Sequence, residues 1–143
     1  MSRHLVVNLL RAPHKLLALI LWLVALHSFL VGCGLVLQPP GLMAFAGFSL
    51  DYDRFFPAQG GVFHIVMAIC YAMSAIDVGK SGRLIVFSII LKTTATAFLL
   101  IYYFVIDSKL IILLSGIGDG LMGLAILLSF CYYLSSSEFG KTR

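Results

Sequence analysis

The chain has 143 residues, of which 61% are hydrophobic and 11% charged, with a mean hydropathy of +1.05 and a formal net charge of +4. Soluble domains carry about 45–50% apolar and about 25% charged residues, so water is not the main solvent of this chain. There is room for one helical bundle and for no separate soluble domain, which places any catalytic or binding site among the helices or in one loop.

Residues 1–15 form a basic segment, and the first uninterrupted apolar run follows at 16–37, ended by Gln38-Pro39-Pro40. The second run spans 57–76, with Pro57 at a first helical position, where its missing N–H costs nothing. The third covers 84–106. Only Asp107-Ser108-Lys109 separates it from the fourth, 110–134, so those two helices are antiparallel neighbours. Residues 135–143 form a polar tail. Each run holds the roughly 20 apolar residues that cross a bilayer, and none alternates with period two, so the expectation is an all-α membrane protein, an antiparallel four-transmembrane-helix bundle.

Seven of the 10 Lys/Arg, namely Arg3, Arg11, Lys15, Lys80, Arg83, Lys141 and Arg143, fall on one side of this topology, and Arg54 and Lys109 on the other. The positive-inside rule places both termini in the cytoplasm, and the basic balance reads as orientation, with no nucleic-acid partner. The long loop, 38–56, then faces outward. Its Phe45, Phe48, Tyr52, Phe55 and Phe56, mixed with Asp51, Asp53 and Arg54, suit a segment on the membrane interface, acting as an anchor or as a lid over the bundle mouth.

Leu30-Val31-Gly32-Cys33 has the residue pattern of a lipoprotein cleavage site, but the apolar run continues past it to Leu37, so an uncleaved first helix is expected. Cys33, Cys70 and Cys131 fall at different depths and cannot meet for a disulfide.

Ionisable residues inside a membrane are costly and are functional candidates by default. Here they are His27, His64, Lys92 and Asp119. By depth, His27 and Asp119 both lie near the midplane, about 16 Å and about 14 Å from the helix ends. They are the expected intramembrane pair, serving as a proton relay or a structural clamp. Lys92 leans toward its own helix N-terminus and away from Asp119, so snorkelling to the cytoplasmic headgroups is the cheaper arrangement, unless a water-filled cavity between the two lets their side chains share it. Ser88, Lys92 and Thr96 recur every four residues, with Tyr103 near the same stripe. His64 and Tyr71 share a face of the second span, as Ser115, Asp119 and Met122 do on the fourth. These stripes point to a central polar cavity, although Ser and Thr can equally bond their own helix backbone. Gly116, Gly120 and Gly123 make a small-residue seam that admits a close neighbour, expected to be the first helix through Gly32 and Gly34.

Nothing calls for a cofactor or metal. A bis-histidine haem needs ligands at one level, which His27 and His64 do not share, and no HExxH, phosphate-cradling loop or nucleophile elbow occurs. The segments PAQGGVFHIVMA (Pro57 to Ala68) and SGIGDGLMG (Ser115 to Gly123), with four spans in this length, resemble the BphX-like and DoxX-like small bacterial membrane proteins. The resemblance implies an inner-membrane four-helix bundle and carries over no catalytic motif.

The functional expectation is a non-enzymatic accessory protein or one that binds an amphipathic or aromatic small molecule in a cavity lined by His27, His64, Lys92 and Asp119. The alternatives are a proton-coupled carrier using His27 and Asp119, a structural subunit of a membrane complex, and an integral membrane enzyme acting on lipid or quinone. Partners beyond the lipid bilayer would be a membrane protein or further copies of the chain, and a carrier this small would need to oligomerise.

Overall fold

A computed structural model describes residues 12–47 and 53–139. The elements are α1 (Pro13–Leu37), α2 (Pro40–Phe45), α3 (Phe55–Ile76), α4 (Gly82–Val105) and α5 (Leu110–Phe139), with no strand among the described residues. Four of them, α1, α3, α4 and α5, are long and apolar enough to cross a membrane. The protein is a multi-pass four-helix membrane bundle. Trp22, Leu23, Phe29, Ile69, Phe98 and Leu121 are among the many large apolar side chains left exposed on its outside. Such a surface is far more than a water-soluble monomer exposes, and lipid is the solvent that accepts it.

The helix ends follow local chemistry. Pro13 occupies the first turn of α1, and Gln38 closes that helix at φ 50°, its N–H bonded to Gly34 O. The Gln38 side chain then ties the C-terminal end of α1 to the N-terminal end of α3, its amide donating to Arg54 O at 2.7 Å and accepting from Arg54 Nε at 3.1 Å. Between them the short α2 buries Met43 and leaves Phe45 exposed. Phe48, Asp51 and Tyr52 lie outside the described residues, as do Arg3, Arg11, Lys141 and Arg143 of the basic flanks. At the α3–α4 turn the Lys80 N–H donates to Asp77 Oδ1 at 3.2 Å, and Lys80 Nζ pairs with Asp77 Oδ2 at 3.1 Å.

Packing is strongest within two hairpins, α1 with α3 and α4 with α5; α1 also meets α5, and the α3–α4 contact is the slightest of the four. Glycines explain the tight pairs. A Cβ on Gly32 would lie 2.7 Å from Gly61 O, and one on Gly61 would lie 2.7 Å from Gly32 O, so α1 and α3 cross backbone to backbone. In the second hairpin, Cβ atoms on Gly116, Gly120 and Gly123 would press on Leu99 Cβ at 3.2 Å, Thr96 Cγ2 at 3.3 Å and Lys92 Cβ at 3.0 Å. The glycine seam of α5 therefore faces α4. The expected docking on α1 is corrected: Gly32 is taken by α3, and the three-residue link between α4 and α5 brings their whole lengths together.

The apolar core occupies one end of the bundle, the end holding the α3–α4 turn. It comprises Leu17, Leu21, Val24 and Ala25 of α1, Tyr71 and Ala75 of α3, Val78, Ile85 of α4 and Ile126 of α5. Beyond Tyr71, toward the loop between α1 and α3, each hairpin stays zipped by its glycines, while the contact between the two hairpins is slighter than the contact within each. That geometry leaves a cavity at mid-bundle.

Candidate intramembrane site

The cavity has a volume of about 190 Å³. From α3 it is lined by Phe63, His64, Met67 and Tyr71, and from α4 by Leu91, Lys92 and Ala95, while α1 contributes Ser28 and α5 contributes Asp119. The three α4 positions follow helical spacing, and the α3 positions recur at three to four residues, so one face of each helix turns inward.

Lys92 donates to Asp119 Oδ1 and forms a salt bridge with it, the two side chains being 3% and 13% exposed. Its ammonium also lies 5.7 Å from the centre of the Tyr71 ring, within cation–π range. This overturns the expected snorkelling of Lys92. The residue sits ten positions into α4, about 15 Å from its start, too deep for its side chain to reach the headgroups. Gly123 gives the lysine stem room against α5, and the long side chain climbs about one turn along that helix to reach Asp119. An ammonium and a carboxylate in low dielectric each cost several kcal/mol alone, and pairing offsets much of that.

The expected His27–Asp119 pair is likewise corrected. His27 is exposed and is not among the residues that line the cavity, whereas its neighbour Ser28 is. Adjacent helical residues are about 100° apart, so equal depth puts only one of the two inside. His64 is half-buried and lines the cavity together with the fully buried Tyr71.

The remaining stripe residues separate cleanly. Ser88 donates to Leu84 O at 2.8 Å and Thr96 to Lys92 O at 2.8 Å, while Ser74 and Ser129 bond carbonyls one turn back in their own helices. Thr96 packs near Gly120 and is absent from the cavity wall. Ser115 points to the outside. Cys33, Cys70 and Cys131 are free thiols.

The cavity residues behave differently. Ser28, His64 and Tyr71 make no side-chain hydrogen bond to another described residue, and Asp119 receives only the Lys92 bond. No fully enclosed polar side-chain atom among the described residues lacks a partner. The unpaired oxygens of Ser28 and Tyr71, each residue 1% exposed, therefore border open space. Sequence reasoning missed Ser28 because a lone serine beside a histidine carries no signal of its own. No group of three or more potential metal ligands occurs among the described residues.

Searches against protein-family models, curated proteins and solved structures found no match to this chain.

Proposed function

We propose that this membrane protein binds a small amphipathic molecule in the cavity between its two helical hairpins, and that it resides in a bacterial inner membrane with both termini cytoplasmic. One observation carries the binding role. Ser74, Ser88, Thr93, Thr96 and Ser129 each donate to a carbonyl of their own helix, whereas Ser28, His64, Tyr71 and one oxygen of Asp119 line one cavity with hydrogen-bonding capacity unspent. Buried polar groups are satisfied as a rule, so such convergence favours a guest that supplies the missing partners.

The Lys92–Asp119 pair anchors this polar end, and Phe63, Met67, Leu91 and Ala95 provide an apolar wall for the rest of the guest. The orientation rests on Lys15, Lys80 and Arg83 at one end of the bundle against Arg54 and Lys109 at the other. A membrane-complex subunit would use the same ion pair only as a clamp.

The test is mild extraction of the protein from native membranes, followed by mass spectrometry of everything that accompanies it, for wild type and a Tyr71→Phe/Ser28→Ala variant that keeps the packing. A small molecule retained by wild type and depleted in the variant supports binding. Stoichiometric partner proteins with no small molecule would instead make the chain a structural subunit.

A further inference from the structure

If the cavity is a binding site, as proposed above, its charge, hydrogen-bonding chemistry, size and opening restrict what it can take. Lys92 and Asp119 neutralise each other inside the bundle. A charged guest would add an uncompensated charge to a low-dielectric site, which is costly enough to exclude it. The guest is therefore neutral.

Its polar group follows from what the wall offers. The carboxylate of Asp119 only accepts, while the Ser28 and Tyr71 hydroxyls and the His64 ring can each donate or accept. A hydroxyl is the smallest neutral group that donates to a carboxylate while accepting from a second partner. The remaining wall is apolar, and about 190 Å³ slightly exceeds the roughly 150 Å³ that encloses a benzene molecule. One ring with small substituents fits within it.

The opening is on the side. Seven of the nine lining residues come from α3 and α4, the pair of neighbouring helices with the slightest contact. Phe63 both lines the cavity and is 63% exposed on the lipid-facing surface. We infer that the cavity takes up, sideways from the bilayer between α3 and α4, an uncharged molecule of about one ring that bears a hydroxyl group.

Fluorine NMR of the full-length protein in phosphatidylethanolamine/phosphatidylglycerol nanodiscs at neutral pH tests this with four probes of nearly equal size: para-fluorophenol, para-fluorobenzoate, para-fluorobenzylamine and fluorobenzene. The expected result is saturable binding of para-fluorophenol, at least about tenfold tighter than the other three, since one hydrogen bond to a charged group is worth that much. Ser28→Ala and Tyr71→Phe should each weaken it severalfold while leaving the helical circular dichroism unchanged. The bound probe should be relaxed more by a lipid carrying a mid-chain nitroxide than by a water-soluble gadolinium chelate.

Tighter binding of the benzoate or the amine would overturn the neutral-hydroxyl assignment while leaving a binding cavity in place. Stronger relaxation by the aqueous chelate would overturn sideways entry. Phenol binding that ignores both substitutions would put the probe elsewhere and overturn the assignment. No saturable binding of any probe would remove this inference, but a co-purifying molecule of another class would still leave the binding role standing.

Discussion

Lys92 of α4 and Asp119 of α5 meet at mid-bundle because Gly123, one turn along α5 from Asp119, has no side chain to block the lysine stem. The pair is thus a product of packing as much as of charge. Removing either partner leaves the other buried and uncompensated, whereas removing both leaves an apolar contact. We expect Lys92→Met and Asp119→Leu each to destabilise the bundle by about 3–5 kcal/mol, and the double variant to recover most of that loss. Reversible unfolding in bicelles measures all three, and simple additivity of the two single losses would refute the pairing.

Adjacent glycines of α3 should respond oppositely to alanine. A methyl at Gly61 would meet Gly32 O at 2.7 Å and Val36 N at 2.9 Å, both backbone atoms that cannot step aside, while a methyl at Gly60 meets nothing within 4 Å. Gly61→Ala should cost about 1–3 kcal/mol through forced separation of α1 and α3. Gly60→Ala should be neutral or stabilising by up to about 1 kcal/mol through helix propensity. Thermal melts of the two variants in one detergent decide the matter.

The two intramembrane histidines should separate in the same way. His64→Ala removes a cavity wall group and is expected to lower the affinity for a hydroxyl-bearing probe severalfold, whereas His27→Ala should leave it unchanged. Equal losses from both would return His27 to the site.

At the α3–α4 turn, the Lys80 ammonium and backbone N–H beside Asp77 hold its carboxyl below the usual range. A depressed folded-state value means that this contribution to stability is present above the ordinary aspartate range and is lost as pH falls through the folded value. Asp77→Asn should therefore flatten the acid limb of the stability profile slightly and leave stability near neutral pH a little lower. The pair is solvent-exposed, so the effect is small and shrinks in high salt. An acid limb identical to wild type would contradict it.

Hydropathy determined the number and approximate limits of the four membrane helices, because bilayer thickness sets their length and hydrocarbon demands self-satisfied backbone. The short Asp107-Ser108-Lys109 link likewise makes α4 and α5 partners from sequence alone. Depth along each helix was also legible, since rise per residue is fixed. Rotation about each axis was not. In a soluble helix the polar face marks the outside, but here lipid and core are both apolar, and the sequence carries almost no signal for which face turns inward. Depth alone thus made His27 the natural mate of Asp119, while packing turned Ser28 inward, brought Lys92 across Gly123, and set the glycine seam against α4. Tertiary structure decided the ion pair and the cavity because both depend on how four nearly uniform apolar cylinders are rotated against one another.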